Sequence, residues 1–419
     1  MITDPEAMVS PTTPPATAAN LMRVYLGTMT FGWKQTSSYV DLQLATEMIG
    51  KFVDSHLLGR DAAASPVAIH VDTARIYSGG NSETMTGEAV REISEKLQER
   101  GIDTLVKWRV GTKAHPSQPG GLSADGLVTQ YDKSMQSMGS LPSPVAEYYL
   151  HQPDTKEDLI QTLRTASFFV EKGFVGAVGM SNYHADEVRR AFSLCSDPSN
   201  GISAKATPSV YQGLYNPLNR NVEDDLLPAL RENGCVFIAY NPLAAGMLTG
   251  KHLSSENSLR EPPKGRFKNN PNYLPRFYTD ANFAATCIIR DAIVQYNDSL
   301  PPSGRPWTMV EVTYAWILRH SGLRPGDGIL LGASSIVQLE ENLQACRRAG
   351  AFAVSDSLGN VTYPGEDLPD EILIAMEEAW KYVKEHTEGR IYPYWRSYSA
   401  DMPGAEELDQ GASYSASKK

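Results

Sequence analysis

The segment His70-Val-Asp-Thr-Ala-Arg-Ile-Tyr77 ends an apolar run with a carboxylate, Asp72, and places a phenol, Tyr77, five residues later. Two further runs end on groups of complementary chemistry: Lys113 in Val-Gly-Thr-Lys-Ala-His-Pro, and His151 in Tyr-Tyr-Leu-His-Gln-Pro. A free phenol, with a pKa of about 10, is a sluggish proton donor at pH 7. A nearby ammonium favours the phenolate and lowers that pKa, and a carboxylate holds the ammonium in place. A neutral imidazole can then orient a carbonyl oxygen and stabilise the charge developing on it. Such an assembly suits reduction of an aldehyde or ketone, with hydride arriving from a separate donor. Each residue alone has a plainer reading: Asp72 as a turn cap, Tyr77 as a surface aromatic, Lys113 as a solvated strand end, His151 as a structural histidine. Lys107 lies in the same run as Lys113 and competes for the ammonium role, but Lys113 is nearer the run's C-terminal end. Their joint placement is the signal.

The elements that must position these groups are legible as eight apolar runs: Val24–Thr28, Val67–Asp72, Thr104–Lys113, Ala146–His151, Val175–Met180, Pro208–Gln212, Val236–Tyr240 and Gly328–Leu331. Most are bounded by Gly, Pro, Asn or Asp, as strands are. The intervals read as helices. In Thr155–Lys172, Leu159, Ile160, Leu163, Ala166 and Val170 recur at helical spacing, Thr155 with Asp158 suggests a capping box, and Gly173 suits a left-handed stop. Met85, Ala89, Val90, Ile93 and Leu97 form one face of another helix, ended by Gly101; Ser335 with Gln338 opens a third. Eight strand–helix alternations predict a (β/α)8 TIM barrel with long loops on its C-terminal face. The rival, an open doubly wound sheet, normally carries G-x-G-x-x-G after its first strand, where this chain has Met-Thr-Phe-Gly-Trp. Residues 1–20, rich in Pro, Thr and Ala, and the Ser-rich 399–419 read as disordered tails around a barrel spanning 21–398. The irregular stretch Asn241–Phe277, with its basic cluster, follows the seventh strand and reads as a lid or binding loop.

Composition narrows the partners. Over 419 residues, 38 Lys and Arg oppose 49 Asp and Glu, a net charge of −11, which disfavours non-specific nucleic-acid binding. No run approaches the ~18 apolar residues of a membrane span, and the N-terminus has no basic-then-apolar leader. Four widely spaced cysteines (Cys195, Cys235, Cys287, Cys346) with no C-x-x-C, and no H-E-x-x-H among the histidines, indicate free thiols and no metal site. A cytoplasmic protein is the expectation.

The chain resembles the aldo-keto reductases, most closely the aflatoxin-aldehyde reductase branch and the related potassium-channel β-subunits. The resemblance runs from Leu26-Gly-Thr-Met to Gly332-Ala-Ser-Ser-Ile-Val-Gln-Leu-Glu-Glu-Asn-Leu343, roughly residues 22–350. It implies a catalytic tetrad of Asp72, Tyr77, Lys113 and His151, with Tyr77 the general acid, and NADPH/NADP+ as cofactor without a Rossmann fold. It further implies that Gly27, Thr28 and Met29 adjoin the cofactor. In Gly179-Met-Ser-Asn-Tyr183, Ser181 and Asn182 would hold the nicotinamide carboxamide with Gln212, and Tyr240 would stack on its ring, or else be a buried strand aromatic. Asn241, Pro242, Leu243, Ala244, Gly246, Thr249 and Lys251 would cover the pyrophosphate. Arg266, Ser334, Gln338, Glu341 and Asn342 would receive the adenosine end, and a Ser-Ser pair at a helix N-terminus suits phosphate. Other branches carry Arg where this chain has Gln338, leaving Lys251, Arg266 and Ser334 to favour NADPH over NADH. Tyr394-Trp-Arg396 resembles the family's C-terminal motif, whose Arg grips a substrate carboxylate; a surface Arg is the equal alternative. Stretches 59–66 and 300–306 look inserted. The resemblance implies a small carbonyl substrate and a homodimer or higher homo-oligomer, acting in detoxification or secondary metabolism. It also admits a cofactor-binding regulatory subunit with little turnover.

Overall fold

Eight parallel strands close on themselves in the computed structural model, which describes residues 22–34, 36, 38–60, 65–253, 274–355 and 361–387. They are β1 (Arg23–Gly27), β2 (Val67–Asp72), β3 (Val106–Ala114), β4 (Val145–Leu150), β5 (Val175–Ser181), β6 (Val210–Leu214), β7 (Val236–Tyr240) and β8 (Gly328–Gly332). Each pairs with its successor, and β8 returns to β1 through Tyr25↔Leu330 and Leu26↔Leu331. The fold is therefore the (β/α)8 barrel, and the open sheet is excluded. All eight runs read from the sequence are strands, with ends moved by up to two residues. The third starts at Val106 because Asp103–Leu105 winds into a 3-10 turn.

Helices α1 (Leu42–Leu57), α2 (Asn81–Glu99), α3 (Ala124–Met138), α4 (Leu159–Glu171), α5 (Ala185–Ser196) and α6 (Leu226–Glu232) alternate with the first seven strands. After β7 come α7 (Leu274–Phe277), α8 (Asp280–Asp298) and α9 (Met309–Ala315). Beyond β8 lie α10 (Ile336–Arg348), the short antiparallel pair Val354–Ser355 and Val361–Thr362, and α11 (Asp370–His386). The last of these packs on α8, an addition to the eightfold repeat.

Local chemistry explains the helix ends. The apolar face of α2 is buried at Met85, Ala89, Val90, Ile93 and Leu97, and the chain leaves it through Gly101 at φ +66. In α10, Ser335 Oγ accepts the Gln338 N–H, the expected cap. One expectation is corrected: α4 begins at Leu159, not Thr155, and Asp158 is its cap, taking the Ile160 N–H at 3.0 Å. The Asp154 carboxylate binds the Lys156 N–H at 2.9 Å, so this segment turns before it coils. Gly173, at φ +70, follows the end of α4 as predicted.

Barrel strands are covered on both faces, and every residue of β4 is buried. Between barrel and helices lies the main apolar core; inside the barrel, Tyr25, Tyr149, Val210 and Ile238 form a smaller cluster. Register decides this packing. Gly179 pairs with Tyr149, and a Cβ at Gly179 would stand 2.3 Å from the Tyr149 ring. The proposed tails, residues 254–273 of the long loop, Arg266 and Arg396 lie outside the described residues.

Candidate active site

The C-terminal ends of β2, β3 and β4 bring Asp72, Lys113 and His151 to one rim, and the turn after β2 adds Tyr77. Lys113 Nζ donates to Asp72 Oδ2 at 2.5 Å and to the Thr73 carbonyl at 2.8 Å. Gln212, from β6, donates to the other carboxylate oxygen at 2.6 Å. The ammonium stands 5.2 Å from the centre of the Tyr77 ring. His151 meets Tyr77 edge to face, with ring centres 5.7 Å apart. Asp72, Lys113 and His151 are buried whereas Tyr77 is half-buried, the most accessible of the four. Lys107 is exposed and takes no part.

Burial sets the charges. It pushes the Asp72 carboxyl up and the Lys113 ammonium down, each effect opposed by the bond between them. It holds the His151 imidazole well below its ordinary range, and the neighbouring His115 and Lys113 add to this, so the ring is neutral at pH 7. The rim therefore offers a phenol, a cation fixed beneath it and an uncharged imidazole alongside. These are the components for delivering a proton to a carbonyl oxygen.

The sequence pattern of the aldo/keto reductase family matches residues 23–350. The chain belongs to the aldo-keto reductases. It is 36% identical over 282 residues to the human aldo-keto reductase family 7 member A3, covering 66% of this chain and 78% of that one. With the rat aflatoxin B1 aldehyde reductase member 2 it shares 35% over 301 residues, 68% and 76% of the two chains. With an aldo-keto reductase of Pseudocercospora fijiensis it shares 31% over 324 residues, 76% and 94%. The protein is an oxidoreductase acting on carbonyls, in a family that uses nicotinamide cofactors. Among the described residues no helix is long and apolar enough to cross a membrane.

In this reductase the residues expected around the cofactor fall into two groups. Around the tetrad, Asn182, itself at φ +63, donates to the His151 carbonyl at 2.9 Å and to Ser181 Oγ at 3.1 Å, and accepts the Tyr240 hydroxyl at 2.7 Å. Tyr240, the last residue of β7, is half-buried against the core. Thr28 is buried, its hydroxyl donating to the Asp72 carbonyl at 3.1 Å, while the neighbouring Met29 is half-buried. Gly27 leaves no room for a side chain, a Cβ there lying 2.3 Å from Leu330.

The second group lies past β7 and β8. Asn241, Ala244 and Ala245 have positive φ, and Gly246 follows at φ +105, so the backbone of this loop is strained. Pro242 and Ala244 are buried, Leu243, Gly246 and Thr249 half-buried, and Lys251 exposed. At the start of α10, the Ser334 N–H and hydroxyl both donate to Gln338 Oε1, at 2.9 and 3.1 Å. Asn342 is buried and its amide donates inward to the Gly332 carbonyl at 3.3 Å, whereas Glu341 is exposed.

Two supporting residues escaped the sequence reading. Glu83, fully buried in the first turn of α2, pairs with Arg75 at 2.6 Å and accepts the Thr112 hydroxyl at 2.7 Å. This pair underlies the turn that carries Tyr77, where Ser78, Gly79 and Gly80 all have positive φ. A Cβ on Gly80 would fall 1.3 Å from the Arg75 guanidinium. The signal was present: Glu83 shares a helical stripe with Val90, Ile93 and Leu97, where a carboxylate needs a partner.

Proposed function

We propose that the protein reduces an aldehyde or ketone to an alcohol with NADPH, Tyr77 delivering the proton to the carbonyl oxygen. The observation that carries this reading is the buried Lys113–Asp72 pair seated beneath the Tyr77 ring, with neutral His151 at its edge. When bound, the dihydronicotinamide supplies a hydride to the carbonyl carbon. As charge gathers on the oxygen, His151 orients it and the Tyr77 O–H bond breaks toward it. Lys113 stabilises the phenolate left behind. Asp72, pinned by Gln212, keeps the ammonium charged and aimed.

The donor set suits such a cofactor. A carboxamide needs both donors and acceptors, which Ser181, Asn182 and Gln212 provide, and the half-buried Tyr240 offers a ring face. Gly27, Thr28 and Met29 would flank it, and Asn241–Lys251 would cover the pyrophosphate. Ser334, Gln338, Glu341 and Asn342, with Arg266, would take the adenosine end, while Arg396 would contact a substrate carboxylate. Preference for NADPH then rests on Lys251, Arg266 and Ser334, because Gln338 brings no charge.

We place the enzyme in the cytoplasm, as a homodimer or higher assembly, acting on small carbonyl compounds in detoxification or secondary metabolism. The names of the aflatoxin B1 aldehyde reductases motivate the first of these roles. Assembly of all four tetrad groups at one rim favours turnover over a regulatory subunit. The purified protein should quench or shift NADPH fluorescence on binding and oxidise NADPH with a reactive aldehyde, faster than NADH. Tight NADPH binding without turnover across a broad carbonyl panel would contradict the proposal.

A further inference from the structure

We propose that His115 is a positioning residue for His151, bracing its ring at the proton-transfer rim and keeping it uncharged; this rests on the role of His151 proposed above. His115 immediately follows β3 and is fully buried. Its ring stands perpendicular to that of His151, at 87° with centres 5.1 Å apart.

The placement of His115 is built from several directions. Its backbone N–H donates at 2.8 Å to Oε1 of Gln130, a buried residue of α3, and the Gln130 amide donates to the Gly121 carbonyl at 2.8 Å. On the ring, Nδ1 accepts the Ser117 backbone N–H at 3.1 Å, and Ser117 Oγ lies 2.7 Å away. An N–H aimed at Nδ1 calls for a lone pair there, which places the neutral ring's proton on Nε2 in our proposal, with Ser117 Oγ able to donate to the same nitrogen. A second proton at Nδ1 would expel the Ser117 bond. The Ser117 N–H thus favours the Nε2–H tautomer and the neutral ring. Burial acts in the same direction, holding the imidazole down to about 4 although the Gln152 side chain favours the charged form.

Among the described residues, the groups facing the His151 side include Tyr77 from the turn after β2, Lys113 from the end of β3 with His115 just after it, and Asn182, just after β5, on the His151 carbonyl. Asp72 lies behind Lys113, and Tyr240 behind Asn182. A protonated His151 would face the Lys113 ammonium without water to screen it, because the His115 ring fills one side. Removing that ring admits solvent, raises the proton affinity of His151 and lets the imidazole rotate. The phenol would then no longer be the sole acid at the rim.

Nitrogen-15 NMR of the imidazoles, combined with kinetics of His115→Ala and His115→Phe, tests this on the full chain with and without NADPH. In the wild type, His115 should show the Nε2–H tautomer and His151 should stay neutral across the neutral pH range. In His115→Ala, His151 should begin to titrate in that range. Turnover should fall roughly tenfold, the acid limb of the kcat profile should move upward, and the NADPH Kd should stay within about twofold. His115→Phe, which keeps the ring and loses the nitrogens, should recover most of the turnover and keep His151 neutral. An Nδ1–H tautomer in the wild type, an unchanged His151 titration in the alanine variant, or a phenylalanine variant no better than alanine would overturn the proposal. Should the alanine variant fail to fold, the wild-type tautomer and the phenylalanine variant decide it. The imidazole titrations do not depend on turnover, so a failure of the reductase reading would be seen separately, as inactive wild type.

Discussion

Two parts of the same barrel rim satisfy their polar groups in different ways. From β2 to β4, Asp72, Lys113, Glu83 and Arg75 are buried and bonded to one another or to fixed partners, several at 2.5–2.8 Å. From β7 to α10 burial is mixed, with Ser334 and Asn342 buried and Lys251 and Glu341 exposed; the backbone is left-handed at Asn241, Ala244, Ala245 and Gly246, and Gln338 folds onto Ser334 as a local, exchangeable cap. The first arrangement would pre-organise proton transfer, since its members are held by several buried bonds at once. The second suits a ligand that arrives and leaves, because its donors can trade Gln338 or solvent for that ligand at little cost. Substitutions in the first part should damage folding or turnover, and substitutions in the second should alter affinity.

The sharpest way to break this contrast is Asp72→Asn. It strands the buried Lys113 ammonium, and losing one partner of a buried pair costs about 3–5 kcal/mol. Urea unfolding should register that loss, and an unchanged midpoint would show that the pair is not the support described. Acid should attack the same part next. Burial holds His70 down to about 3 and His115 to about 4. Both lie below the unfolded value near 6.5, so their contribution to stability is present above pH 6.5 and is lost as pH falls through the folded values. The thermal midpoint should decline from pH 6.5 toward pH 4, with the loss on the order of 3 kcal/mol for His70 alone. His70→Gln should flatten the decline, and a flat wild-type profile would refute it.

A matched pair of glycines compares the two parts directly. Gly80→Ala, at φ +97 and against Arg75, should cost about 2 kcal/mol and lower turnover. Gly246→Ala has similar φ, +105, but its nearest neighbour is the flexible Lys251 at 3.5 Å. It should cost about 1 kcal/mol and act chiefly on the NADPH Kd, measured by fluorescence titration. Smallest of all, Gln338→Arg should tighten NADPH over NADH severalfold, about 1 kcal/mol, with kcat unchanged. Equal effects on both cofactors would remove Gln338 from the phosphate site.

Much of this was legible from local pattern. Apolar runs punctuated by Gly and Pro marked all eight strands, and a polar residue at a strand's C-terminal end marks the rim of any such barrel, which is how Asp72, Lys113 and His151 were found. What pattern does not carry is the partner across the closed barrel. The bond from Gln212 to Asp72 joins residues 140 apart in the chain, and it exists because β2 and β6 face each other across the interior. The Arg75–Glu83 pair needed the packed structure for another reason: the helical stripe puts Glu83 on the dry face, but nothing in the spacing names Arg75, in the preceding turn, as its partner. The start of α4 was misjudged because Asp154 and Asp158 compete with the helix for backbone N–H groups, a contest that spacing alone does not decide.

Single-turnover hydride transfer in Tyr77→Phe, with NADPH bound and a reactive aldehyde mixed in, tests the central claim most directly. The rate should fall by about 10²–10⁴-fold while NADPH affinity and the thermal midpoint stay at wild-type values. A variant that transfers hydride at the wild-type rate would contradict the assignment of the proton donor.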